Sequence, residues 1–302
     1  MVALRRVLSV ALVQLVIEVG VVVALVSPYD LLYRGVSLLP SYPARTHDVF
    51  AQALTTALLF GVLLLAGRVL EHCSPADMGL RGQHAGRDLA LGAVVGAGLI
   101  GVVVGVLALA GWYRVVGVAP LSALPALVPW LVLFLLAAAF EEGLFRGIIF
   151  RLLERGLGSW IAVALSALVL GVSHLGTPHA TVAATRAIAL TAGVAGGAAY
   201  MLTRSLWPVI GAHFGWNFCE GPLFGTQVSG SVTPVVLHST MRGPPLWTGG
   251  AFGPEAGLVT VIVALVVGVV LLALAVQRGH VIAPPWMQPP RRTLRPHAPV
   301  VA

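Results

Sequence analysis

Glu141 and Glu142 stand side by side, with Arg146 one turn later, inside the apolar run from Leu127 to Phe150. Three charged residues near the centre of a membrane span cost about 3 kcal/mol each, roughly 9 in total. The Leu, Ile, Val and Phe residues of the run return only about 6 kcal/mol at roughly 0.45 each. The deficit requires these groups to face protein or water and to be paired. An intramembrane carboxylate pair is therefore a candidate functional site. Glu142 and Arg146 are four apart, acid first, so they share a helix face and can pair. Glu141 points about 100° away and has no local cation.

Two further polar clusters interrupt apolar runs: His174, after Leu170-Gly171-Val172-Ser173, and His213 with Asn217, again four apart. The turn Gly156-Leu157-Gly158 lies midway between Glu141 and His174. An antiparallel hairpin about that turn returns both residues to one height, roughly 15 to 22 Å up at about 1.5 Å per residue. The turn Thr203-Arg204-Ser205 brings Asn217 to about 18 Å and His213 a turn lower. Glu141, His174, His213 and Asn217 are thus expected in one layer, in the inner half of the membrane. A carboxylate and an imidazole flanking a water can take its proton and pass it to a leaving amine. An imidazole and a carboxamide on a neighbouring helix can donate to the oxyanion formed when that water attacks a carbonyl.

The elements that must hold these groups are membrane helices. The 302 residues are 58% hydrophobic and 10% charged, with a mean hydropathy of +0.95. Soluble domains carry about 25% charged residues. The chain reads as an all-α polytopic membrane protein of about eight transmembrane helices: 7–27, 49–69, 88–110, 127–150, 160–175, 187–202, 206–221 and 256–276. Residues 1–276 form one transmembrane domain with its motif-bearing core at 125–220. Residues 277–302, rich in Pro and Arg, read as a disordered cytoplasmic tail.

The net charge of +7 comes with eighteen arginines and no lysine. They are scattered between apolar runs, which is a topology signal rather than a nucleic-acid surface. With the N-terminus inside, that side receives twelve arginines, the other side five, and Arg146 lies within a span. This places both termini in the cytoplasm and the protein in the plasma membrane, multi-pass. Cys73 and Cys219 form no C-x-x-C pair, so neither a disulfide framework nor a thiolate metal site is expected.

Glu-Glu-x-x-x-Arg, then an intramembrane His, then His-x-x-x-Asn resembles the type II CAAX prenyl endopeptidase family, also called CPBP or Abi intramembrane proteases. Leu206 to Phe218 is similar to the family's third motif and its lead-in. The resemblance implies an eight-helix fold and a glutamate-dependent endopeptidase that opens toward the cytoplasm. It implies that Glu141 and His174 activate water, that His213 and Asn217 stabilise the oxyanion, and that Glu142 and Arg146 support them. The family's second motif usually carries Phe four residues before the His, where this chain has Leu170. The implied partners are a membrane-associated peptide or protein substrate and the lipid bilayer, with no nucleic acid.

Other readings stand beside this one. Glu141, Glu142 and Arg146 could form a structural ion cluster. Glu141 or Glu142 with His174 and His213 would make a zinc set for an intramembrane metalloprotease, though His-Glu-x-x-His is lacking and no cofactor is the favoured reading. Buried Glu, His and Arg also build proton relays, so a proton-coupled transporter is an alternative, as is a non-catalytic membrane immunity protein. Glu18 reads as a helix-pairing residue, and Glu220 as a partner for Arg146 or an entrance residue. The Gly-rich segment from Gly221 to Pro254 reads as a flexible external loop or a lid.

Overall fold

The computed structural model describes residues 10–36 and 44–287, with side chains described over 10–27 and 48–287. Eight helices occupy the eight expected positions. They are α1 (Ala11–Val36), α2 (Ala44–Ala66, continued by a π-turn Gly67–Glu71), α3 (Ala85–Leu109), α4 (Leu121–Leu157), α5 (Ser159–Gly176), α6 (Val182–Thr203), α7 (Trp207–Phe218) and α8 (Leu258–Gln277). Among the described residues six helices are long and apolar enough to cross a membrane: α2 to α6 and α8. The protein is a polytopic helical membrane protein. The apolar part of α1, Ala11–Ser27, is shorter. So is α7, whose 12 residues start at Trp207-Pro208 and pass into a π-turn, Cys219–Leu223, that contains Pro222. Twelve residues rise about 18 Å, short of a hydrocarbon core of about 30 Å. Helix α7 packs against α3 and α4 inside the bundle.

Helix α4 is a composite rod. A 3-10 segment (Leu121–Leu127) leads into α-helix (Val128–Glu142), then π-helix (Gly143–Phe150), then α-helix again (Arg151–Leu157). Gly158 ends it at φ 83°, where a β-carbon would sit 2.8 Å from the Pro284 nitrogen. Only glycine allows both that backbone and that contact.

The two ends of the bundle differ. At the Gly158 end, Glu71 accepts hydrogen bonds from Arg151 and Arg155, and Glu154 accepts from Arg204 and from Ser159 Oγ at 2.6 Å. The tail expected to be disordered from Gln277 is held here in its first ten residues. Ser159 N–H donates to the Ile282 carbonyl at 3.0 Å, Ile282 N–H donates to Ser159 Oγ at 2.8 Å, and the His280 ring bonds the Leu202 carbonyl. Pairing with backbone groups left over at helix ends overrides the disorder that its composition predicts. Residues 288–302 lie outside the described residues.

At the other end, β1 (Tyr113–Val118) pairs antiparallel with β2 (Leu237–Met241), with an irregularity between Val115 and Gly117. Tyr113 Oη donates to the Phe224 carbonyl at 2.8 Å, and Arg242 N–H to the Trp112 carbonyl at 2.7 Å. The segment expected to be a flexible loop or lid is therefore an ordered cap. Its backbone groups are satisfied by long-range partners that composition does not reveal.

Candidate active site

Helix α7 carries His213 and Asn217, and α3 fixes which way they point. Gly92 and Gly96 of α3 lie against the backbone of Pro208 and Ala212 of α7, and Gly211 and Gly215 of α7 lie against the backbone of Leu89 and Ala93 of α3. A β-carbon at Gly96 would fall 1.9 Å from the Ala212 oxygen, and one at Gly215 would fall 2.1 Å from the Ala93 oxygen. Small residues four apart let two membrane helices approach this closely. His213 and Asn217 follow Gly211 and Gly215 by two residues, about 200° around the helix. Packing the glycine face on α3 thus turns the polar face toward α4.

There His213 Nδ1 lies 2.8 Å from Glu142 Oε1. Arg146 Nη1 donates to the same oxygen at 3.1 Å and lies 3.0 Å from Oε2. The Glu142 and Arg146 side chains are both buried. The guanidinium also donates to the Ala192 and Gly193 carbonyls of α6. Gly196 makes room for it, since a β-carbon there would come within 2.1 Å of Nη2. The predicted Glu142–Arg146 pair is therefore formed, and it anchors α4 to α6 and α7 together. It sits where the rod changes from α to π winding, a feature often found at functional sites.

Glu141 is half-buried and makes no hydrogen bond among the described residues. It lies within electrostatic range of His213. Asn217 is likewise half-buried with no hydrogen bond among the described residues. His174 ends the α-helical part of α5, and its Nδ1 lies 2.9 Å from the Leu170 carbonyl. A carbonyl only accepts, so Nδ1 carries the hydrogen and Nε2 keeps its lone pair. Leu170, at the position where the resembling family usually has Phe, is buried and orients the histidine through its backbone. No hydrogen bond or ion pair joins Glu141 to His174 among the described residues; both His174 and His213 lie within electrostatic range of Glu255.

One expectation needs correcting. Glu220 does not meet Arg146: it is fully buried in the π-turn that follows α7 and accepts from Trp216 Nε1 at 2.9 Å.

Sequence reasoning missed the glycine seam between α3 and α7, although Gly92-x-x-x-Gly96 and Gly211-x-x-x-Gly215 are legible as paired small-residue motifs. It also missed Glu255, for which the sequence gives no signal. Among the described residues no three His, Cys, Asp or Glu side chains converge as a metal-binding set. Glu142, half of the zinc alternative, is turned to Arg146.

Fold and site define a helical membrane protein with a buried polar layer built from three of its helices. Residues 123–219 match the family model described as Type II CAAX prenyl endopeptidase Rce1-like. The match spans about a third of the chain and contains Glu141, Glu142, Arg146, His174, His213 and Asn217. It bears out the family recognised from the motifs, and that family is one of proteases. No curated protein and no solved structure matches the chain.

Proposed function

We propose that this protein is an intramembrane glutamate-dependent endopeptidase acting on a membrane-associated peptide or protein. The observation that carries this reading is the division of labour between the adjacent glutamates. Glu142 is held by Arg146 and His213, whereas Glu141 makes no hydrogen bond or ion pair among the described residues and is free to handle a proton. In the mechanism, Glu141 and His174 Nε2 flank a water, and one of them takes its proton. The hydroxide attacks the scissile carbonyl carbon. With Nδ1–H held by Glu142, His213 donates from Nε2 as the doubly protonated ring, and the resulting oxyanion accepts from that Nε2–H and from Asn217 Nδ2–H. Collapse breaks the C–N bond, and the stored proton goes to the leaving amine. Glu142, bonded to His213 Nδ1, orients that ring, and Arg146 balances the carboxylate's charge.

The arginine bias, twelve to five, supports a plasma-membrane protein with both termini in the cytoplasm. A reporter fused after Ala302 that reads as cytoplasmic supports the orientation, and an extracytoplasmic reading reverses it.

The test of function is cleavage of a peptide library by the purified protein and by Glu141→Ala, His174→Ala and His213→Ala, with and without chelator. Loss of cleavage in all three variants, with no effect of chelator, is expected. Activity that survives Glu141→Ala and His174→Ala would remove the proposed roles. Abolition by chelator and restoration by zinc would move the reading to a metalloprotease.

A further inference from the structure

The ordered cap holds a cavity of about 310 Å³, at the small end of the range for ligand sites, about 300–1,000 Å³. Ser239 and Met241 of β2 form one wall, the segment Gly225 to Gln227 another, and the turn around Gly250 lines it as well. No residue of the lining is charged or aromatic.

The register of the sheet decides which groups β2 offers to this cavity. Arg242 N–H donates to the Trp112 carbonyl at 2.7 Å, and the next pairs are Tyr113 with Met241, Arg114 with Thr240 and Val115 with Ser239. In an antiparallel ladder, pairs that exchange hydrogen bonds alternate with pairs that do not. With a bond at Arg242, Thr240 is bonded to β1, while the N–H and C=O of Ser239 and Met241 point away from it. Beyond β1, β2 pairs with no further strand, and no other backbone group bonds Ser239 or Met241 among the described residues. Open strand edges are usually blunted by Lys or Pro, and the edge Leu237–Met241 carries neither. Four main-chain groups at the spacing of an added strand therefore border an uncharged cavity.

The other wall is fixed at one end and tied to α7. Ser239 Oγ–H donates to the Gly225 carbonyl at 2.9 Å, and Gly225, at φ 69°, would put a β-carbon 2.1 Å from the Leu237 oxygen. The walls thus touch there. Thr226 Oγ1–H and N–H donate to the Glu220 carbonyl at 2.8 and 3.1 Å. Glu220 in turn holds Trp216, next to Asn217. Gln227 is half-buried, and its side-chain amide makes no hydrogen bond among the described residues. It offers both donors and an acceptor.

We infer that this cavity docks a short, extended, uncharged stretch of peptide chain, which adds as a strand to β2 at Ser239 and Met241. The inference deepens the proposed endopeptidase reading and rests on it for taking that chain to be the substrate. One peptide residue exchanges N–H···O bonds with Ser239, and the residue two along does so with Met241. Main-chain bonds then supply affinity, and the uncharged lining rejects a charged side chain that would lose its hydration.

Hydrogen exchange resolved to single amides tests this on the full-length protein in a zwitterionic detergent. The probe is an acetylated, amidated hexapeptide of alternating threonine and valine. With the probe at about ten times its Kd, exchange at Ser239 and Met241 should slow about tenfold, while Thr240, already bonded to β1, is unchanged. The same hexapeptide N-methylated on every residue, and maltose, should protect neither amide. Ser239→Pro deletes an N–H that the ladder does not use, so the sheet is kept and probe affinity falls about tenfold. Ser239→Ala loses the hydroxyl but keeps that N–H, and should bind as the wild type does. Several results overturn the inference: no protection by the probe at millimolar concentration, protection that includes Thr240, equal protection by the N-methylated peptide or maltose, or undiminished binding by Ser239→Pro. Should Ser239→Pro fail to fold, the alternation in the wild-type protein still decides. In the cleavage assay Ser239→Pro should raise KM with kcat little changed. If the wild-type protein cleaves no peptide, the proposed function fails while the exchange pattern still decides whether β2 takes up a strand.

Discussion

Replacing Gly96 by Ala tests whether backbone contact between α3 and α7 aims the candidate oxyanion donors. The added carbon would lie 1.9 Å from the Ala212 carbonyl oxygen. Carbon and carbonyl oxygen approach no closer than about 3.3 Å without strain, so the helices must part locally by about 1.4 Å. Helix α7 has little room to retreat, because His213 is already 2.8 Å from Glu142 on its far side. Overpacking of this kind costs about 1–3 kcal/mol. A displacement near 1 Å at a reacting centre can cost about a hundredfold in rate. Gly98→Ala is the control: it is the same substitution on the same helix, at a position where nothing lies within 4 Å of the new carbon. Removing a helix glycine there is expected to be neutral or to stabilise by up to about 1 kcal/mol. Both variants are measured for kcat/KM on one cleaved peptide and for the thermal unfolding midpoint in detergent. Gly96→Ala should lose most of its activity and unfold earlier, while Gly98→Ala keeps both. Equal behaviour of the two would refute the claim that the glycine seam sets the site.

Further outcomes follow from the same structure. Gly196→Ala, with its β-carbon 2.1 Å from Arg146 Nη2, should expel the guanidinium and lower both activity and unfolding midpoint; Gly197→Ala, whose nearest neighbour is 3.9 Å away, should do neither. At the arginine end Glu71 is fully buried on a nearly buried Arg151, so Glu71→Gln should cost about 3–5 kcal/mol in unfolding measurements. Glu18 lies beside it without an ion pair of its own among the described residues, and Glu18→Gln should leave the unfolding midpoint unchanged or raise it. In the exposed loop after α2, Ser74 Oγ–H at 2.6 Å and its N–H at 2.9 Å hold the Asp77 carboxyl below its usual range. A depressed folded value means this contribution is present at neutral pH and is lost as pH falls through it. An NMR titration of Asp77 should shift upward in Ser74→Ala, and an unshifted curve would contradict the assignment.

The sequence alone determined that the chain is a helical membrane protein, and it located the polar groups on α4, α5 and α7. Lipid forces this legibility: a charged residue in an apolar run is costly enough that Glu141, Glu142 and Arg146 stand out without coordinates. Helical period then fixed the Glu142–Arg146 pair, because four residues return nearly to one face. What only the tertiary structure decided is which glutamate His213 engages and how α7 is turned to reach it. His213 selects Glu142 because close backbone contact with α3, made possible by glycines on both helices, sets the rotation of α7, and that contact lies between segments more than a hundred residues apart. The segment expected to be a loose loop is tied down by strands that pair residues 113–118 with 237–241. Periodicity within one segment carries no trace of such pairing, since the partner that satisfies each backbone group is set by the fold and not by neighbours in the chain.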